Sequence, residues 1–403
     1  MTFLIGIVGK PSSGKSTFLN AACLTNAKVS ELPFTTIDPN KGVAYIKTKC
    51  VCKELGVNDN PKNSYCIDGN RFVPVNLLDV AGLVPDAHRG KGLGNKFLND
   101  LSKATVLIHI VDITGSLDKM GNRIKEGANN PYEDILFLED EIDLWFKQIL
   151  EREDWDKFLR TFSRESKKFI EELANRVSGI KVSKFHIIEA LKKTQLSEKN
   201  PAEWSDVDLL NFSKGLRRLS KPILIAANKI DKEIGVKNLT ALKNSYKDQI
   251  IPCSALAEYY LRKYDNEGTI KYIPGSNDFS FINLENLSEK EIEMLKEIKN
   301  KILTPFNGTG VQGVLNYSVF DIGKQICVYP VADFNNFTDN NGNILPDAFI
   351  VEEGTTLKDF VNDNIHSDLA KHFIYGVDAR SKKRLSENYI LKHNDIIKIV
   401  SAK

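Results

Sequence analysis

The sequence predicts an α/β fold: a parallel sheet interrupted by a helical, coiled-coil-like insertion and followed by a small β-grasp-like unit at the carboxyl end. Three observations predict it. Short apolar runs recur along the chain and four of them end on a polar motif, the way a parallel sheet presents its ligand-facing carboxyl ends. Residues 116–205 break that pattern with apolar residues at three- and four-residue steps. Residues 325–403 return to short strands separated by turns.

The first apolar run, residues 3–8, leads into Gly9-Lys10-Pro11-Ser12-Ser13-Gly14-Lys15-Ser16-Thr17, and residues 18–22 start a helix. Strand, glycine-rich turn, helix is the setting in which G-x-x-x-x-G-K-S cradles phosphates, as in a P-loop NTPase. Gly9 and Gly14 permit a turn that side chains would obstruct, and the helix N-terminus adds positive potential. The nucleotide site is expected to take in Gly9, Pro11, Ser12, Ser13, Gly14, Lys15, Ser16 and Thr17. Lys15 would reach the β- and γ-phosphates, and the Ser16 hydroxyl would ligate Mg²⁺.

Residues 31–40, with two prolines and a Thr pair, read as a loop. Thr36 is its candidate for sensing the γ-phosphate through Mg²⁺; the plainer reading is a pair of turn threonines. A strand over 43–46, a surface excursion over 53–70 and a strand over 72–78 follow, the last running into Asp79-Val80-Ala81-Gly82. Asp79 fits the carboxylate that holds a Mg²⁺-bound water, and Gly82 a backbone amide for the γ-phosphate. A glycine-rich loop over 83–94, a helix to about residue 103 and a strand over 106–111 complete the first part of the sheet domain, residues 1–115.

Ile135, Leu138, Ile142, Trp145 and Ile149 mark one helical face in the insertion, residues 116–205; Phe158, Phe162, Phe169, Leu173 and Val177 mark a second, with Gly179 as its stop. Strands resume over 222–227, delivering Asn228-Lys229-Ile230-Asp231, and over 250–253, delivering Ser254-Ala255. Residues 206–324 are thus the second part of the sheet domain, ending in a Gly- and Asn-punctuated linker over 304–324. In 325–403, strands over 326–331, 349–351 and 396–400 and a helix over 356–364 make the β-grasp-like unit.

The base is read at Asn228, Lys229 and Asp231. The Asp231 carboxylate can accept from guanine N1–H and the 2-amino group, two donors that adenine lacks. Asn228 can bridge base and phosphate loop, and the Lys229 stem can cover the base face. The Ser254-Ala255 pair would supply a backbone N–H to guanine O6. Leu83 stands where many GTPases carry the glutamine that orients water, so another group must do so or turnover is slow. His88 is one candidate; a solvated loop histidine is the other reading.

With 403 residues the chain exceeds what one core usually serves. Its 42% apolar and 27% charged residues are those of an ordinary soluble protein, and a net charge of +2 does not advertise sequence-specific DNA binding. No apolar run has membrane-span length, and the first strand starts at once, so a cytoplasmic protein is expected. Scattered cysteines at 23, 50, 52, 66, 253 and 327 are not a disulfide framework. Cys50, Cys52 and Cys66 leave two readings: metal ligands, though C-x-C does not match the usual four-ligand zinc spacings, or a plain strand pair extending from the sheet.

The set Gly9…Lys15-Ser16, Phe34-Thr35-Thr36-x-x-Pro39, Asp79-Val80-Ala81-Gly82-Leu83 and Gly92-Leu93-Gly94-Asn95-Lys96-Phe97-Leu98 resembles the Obg-related translation-factor GTPases. The long insertion and the carboxyl-terminal unit, similar to a TGS domain, look like the YchF branch. The bacterial members of that branch and their close eukaryotic relatives carry Asn-x-x-Glu and favour ATP; with Asp231 this chain looks like the archaeal and eukaryotic YchF-related GTPases. The resemblance implies a GTPase with Mg²⁺ and a hydrophobic residue such as Leu83 in its active site. It also implies association with the ribosome or RNA through the insertion and the TGS-like unit. A nucleotide-gated binding module with negligible intrinsic hydrolysis is the alternative.

Overall fold

A computed structural model describes residues 3–24, 41–80, 94–151, 154–162, 166–246, 249–365 and 367–402. In chain order the sheet domain begins with β1 (Leu4–Val8), α1 (Lys15–Cys23), β2 (Lys41–Lys49), α2 (Val51–Leu55), β3 (Tyr65–Ile67), β4 (Asn70–Asp79), α3 (Gly94–Lys103) and β5 (Val106–Asp112). The helical region holds α4 (Pro131–Glu151), α5 (Trp155–Phe162), α6 (Ser166–Arg176), α7 (Lys184–Lys193) and α8 (Asp206–Ser220). The chain then returns through β6 (Ile223–Asn228), α9 (Glu233–Tyr246), β7 (Ile250–Pro252), α10 (Ala255–Asn266), the hairpin β8 (Ile270–Tyr272) and β9 (Phe279–Phe281), and α11 (Glu289–Ile298), α12 (Thr304–Phe306) and α13 (Val311–Asn316). Last come β10 (Gln325–Val331), β11 (Phe349–Glu352), α14 (Leu357–Asn364), α15 (Ser367–Lys371), β12 (Phe373–Asp378), β13 (Arg384–Leu385) and β14 (Asp395–Ser401).

The main sheet has the order β2-β4-β1-β5-β6-β7. Strands β4, β1, β5, β6 and β7 run parallel, whereas β2 and β3 both pair antiparallel with β4. Strands β5 and β6 are buried along their whole length, which is why they read as unbroken apolar runs rather than alternating ones. The parallel strands bring Val8, Asp79, Asp112, Asn228 and Cys253 to one edge, where their carboxyl ends open on the site.

The helical region is not a detached arm. Leu138, Ile142 and Phe146 of α4 and Leu216 of α8 share one core with Val8, Leu78 and Leu107 of the sheet. The second aromatic stripe spans α5 and α6 and closes over Trp155 and Trp204. Gly179 is not the helix stop: α6 ends at Arg176, Gly179 lies in a 3-10 turn over Ser178–Ile180, and Lys181 takes the left-handed conformation.

Residues 304–324 are not a linker either. Val311, Val314, Leu315 and Val319 are fully buried under the sheet's other face, on α13 and the π-helical turn that continues it. Their helical spacing was obscured by the Asn-Gly and Gly punctuation just before it. The carboxyl-terminal unit is a five-stranded sheet, β11-β10-β14-β12-β13, with β10 and β14 parallel at its centre and α14 packed on it through Leu357, Phe360 and Val361. It docks on the excursion after β2: the Asn60 and Lys62 N–H groups donate to the carbonyls of Ile344 (2.8 Å) and Pro346 (2.7 Å).

Candidate functional site

The turn after β1 is possible only with its two glycines. Gly9 has φ +146°, and a Cβ there would lie 2.5 Å from the Ile110 carbonyl oxygen; Gly14 has φ +103°, and a Cβ would lie 2.2 Å from Asn228 Nδ2. Ser12 takes φ +63°, Ser13 is buried, Pro11 packs where Gly121 leaves room, and Lys15, Ser16 and Thr17 form the first turn of α1. That turn carries no acidic residue, so the positive end of the helix dipole is not offset. Lys15 Nζ donates to the carbonyls of Gly9 (2.8 Å) and Lys10 (2.9 Å). Burial pushes its ammonium below the ordinary lysine range, and the nearby Asp79 carboxylate pulls it back. Asp79 is placed by the β1–β4 register, which sets it beside Ile7.

The residues of the Asn-Lys-x-Asp motif are tied to the phosphate loop. Asn228 ends β6 opposite Asp112 of β5; its Nδ2 donates to the Ser13 carbonyl at 2.9 Å and its Oδ1 accepts from Ala255 N–H at 3.1 Å. Lys229, at φ +67°, pairs with Asp112 at 2.7 Å. Asp112 also accepts from the Thr114 N–H and hydroxyl and from the Ser116 hydroxyl. Burial pushes the Asp112 carboxyl up, but these hydrogen bonds outweigh it and hold the group below the usual range. The Ser254 hydroxyl donates to Asp231 at 3.1 Å and, as N-cap of α10, accepts from Ala257 N–H. In this structure Ser254 N–H donates to the Thr309 carbonyl and Ala255 N–H to Asn228, so the pair holds the Asn228 and Asp231 side chains.

Sequence reasoning passed over two residues. Asp112 ends an apolar strand just as Asp79 does, and that position was its signal. Lys10 is a variable position of the phosphate motif, yet its ammonium is buried, donating to Asp134 of α4 at 2.5 Å and to the Asp118 carbonyl at 3.1 Å. Asn129 also donates to Asp134. Burial pushes the Asp134 carboxyl above its usual range, and Lys10 and Asn129 only partly return it. The phosphate loop is thereby fastened to the first helix of the helical region. Thr36, Gly82, Leu83 and His88 lie outside the described residues.

His109, in the middle of β5, is fully buried, and its Nδ1 has no hydrogen-bond partner among the described residues. Burial, with the charges of Lys15 and Lys10, drives the imidazole down to about 3. The unfolded imidazole takes up its proton near 6.5, so this residue's contribution is complete above that pH and drains as pH falls towards 3. Each unit below 6.5 costs about 1.4 kcal/mol. Melting curves between pH 7.5 and 5 should show a steeper loss for wild type than for His109→Gln; parallel curves would remove His109 from the account.

A family model described as "50S ribosome-binding GTPase" matches residues 4–139, one described as "Obg-like GTPase YGR210-like, G4 motif-containing domain" matches 226–333, and a "TGS domain" matches 336–401. An uncharacterized GTP-binding protein of Methanocaldococcus jannaschii is 46% identical over 99% of each chain. The crystal structure of a GTP binding protein from Pyrococcus horikoshii OT3 superposes with a TM-score of 0.75 at 39% identity, covering 100% of both chains. The Schizosaccharomyces pombe YchF GTPase shares the fold, with a TM-score of 0.59 at 18% identity over 99% of this chain and 98% of that one.

Proposed function

We propose that this chain, which belongs to the Obg-like GTPases, binds GTP in preference to ATP and hydrolyses it, with water, to GDP and phosphate. The observation that carries this reading is the Asn228–Ser13 hydrogen bond, which couples base recognition directly to the phosphate loop. In this reading the loop from Gly9 to Thr17 cradles the phosphates and Lys15 exchanges its carbonyl partners for phosphate oxygens. The Ser16 hydroxyl and the Asp79 carboxylate are hard oxygen donors of the kind Mg²⁺ takes. With Thr36 they would hold the ion, which when bound neutralises charge on the β- and γ-oxygens. Gly82 would offer its amide to the γ-phosphate.

A ribosomal or RNA partner is supported by the description of the first family model and by the TGS domain. The surfaces available are the helical region and the carboxyl-terminal sheet. No helix among the described residues is long and apolar enough to cross a membrane.

Single-turnover phosphate release with Mg²⁺, with and without ribosomes and with ATP as competitor, tests the reading. GTP is turned over and ATP competes weakly; equal use of the two nucleotides overturns it. Leu83 favours one second reading, a nucleotide-gated binding module. Tight GTP binding with no phosphate release, even on ribosomes, would establish that instead. If His88 positions water, His88→Ala lowers the single-turnover rate at least about tenfold with GTP affinity unchanged. An unchanged rate makes it a solvated loop residue.

A further inference from the structure

The excursion between β2 and β4 brings together four side chains that the nucleotide site does not use. Cys50 caps α2, Cys52 lies within it, Asp59 follows it, and Cys66 sits on β3. Their three sulfurs and one carboxylate oxygen lie within 4.8 Å of one another. Cys50 and Cys52 are buried, and the Asp59 side chain is 11% exposed.

We propose that Cys50, Cys52, Asp59 and Cys66 form a structural zinc site. Zinc held at about 2.3 Å by two tetrahedral sulfurs separates them by about 3.8 Å. The Cys52 and Cys66 sulfurs are 3.9 Å apart, hydrogen-bonded and not joined in a disulfide, and Cys50 Sγ donates to Asp59 at 3.2 Å. Three thiolates with one carboxylate suit zinc: hard cations such as Mg²⁺ avoid sulfur, and a cubane cluster takes a fourth cysteine. Each thiol releases its proton on ligation, leaving the site net anionic.

Arg71 answers that charge. It is fully buried, stands across the β3–β4 ladder from Cys66 and donates to Asp59 at 3.0 Å, to Ser64 at 2.8 Å and to the Leu345 carbonyl at 2.7 Å. It thus orients the carboxylate ligand and ties the site to the carboxyl-terminal unit, beside the Asn60 and Lys62 contacts. The ion would clamp α2 to the β3–β4 hairpin and fix the surface on which that unit docks. The cysteine spacing alone hid the site because the fourth ligand is a carboxylate.

The full chain, purified without chelator from zinc-containing medium, should carry about one zinc per chain. Mercurial titration of the native wild type should release that zinc as the thiols react. Cobalt-loaded protein should show the visible bands of tetrahedral thiolate coordination. Cys66→Ser should lower zinc affinity at least about tenfold, while Cys23→Ser leaves content and spectrum unchanged. Wild type free of zinc with no cobalt bands, or a Cys52–Cys66 disulfide found after purification without reductant, would overturn the proposal, and neither result bears on GTP binding.

Discussion

Asp231→Asn should weaken GTP binding by about 10²–10⁴-fold while leaving ATP binding within a few-fold of wild type. In the proposed reading the carboxylate would accept from guanine N1–H and the 2-amino group, and a hydrogen bond to a charged group contributes roughly 1.5–3 kcal/mol. Asparagine keeps the shape, but its amide nitrogen sets a donor against a donor, so both bonds suffer. Ser254 continues to hold the residue through its hydroxyl, at 3.1 Å from Oδ1 in the wild type. Asp231 is only half-buried, so the fold is unaffected. Competition titration against a fluorescent GDP analogue measures the effect. A wild type that binds ATP as tightly as GTP, or a variant that keeps full GTP preference, would sink the assignment of base choice to this carboxylate.

Asp134→Ala should destabilise the sheet domain by about 3–5 kcal/mol, because it strands the Lys10 ammonium in a dry site. Both side chains are 6% exposed. The Asp118 carbonyl remains as an acceptor for Lys10, but it carries no full charge to balance the ammonium. The raised proton affinity of Asp134 shows that burial outweighs what its partners return, so the intact pair is no large source of stability. A double replacement, Lys10→Met with Asp134→Leu, should therefore recover most of the loss. Thermal melting of wild type, Asp134→Ala and the double variant checks both statements. An Asp134→Ala protein that melts with wild type would show that water reaches Lys10. A double variant as unstable as the single would point to packing rather than charge.

The phosphate loop, the Asn-Lys-x-Asp motif and the strands that deliver them were legible because each is local. An apolar run long enough for a buried strand, a glycine required at positive φ and a fixed spacing of donors are set by neighbours in the chain. The β12 and β13 strands escape the sequence because Gly376 interrupts the apolar run of β12 and β13 is only two residues long. In residues 311–322 the turn residues just before them mask a helical period. By itself, then, the sequence determined the sheet domain and the order of its motifs. Only the tertiary structure decided that Lys10 pairs with a residue 124 positions away, that Asp112 holds Lys229, that Asp59 joins three cysteines, and that Arg71 reaches a carbonyl 274 positions on. Those pairings depend on which faces the folded elements turn to one another, and a buried charge accepts whichever partner the packing brings within reach.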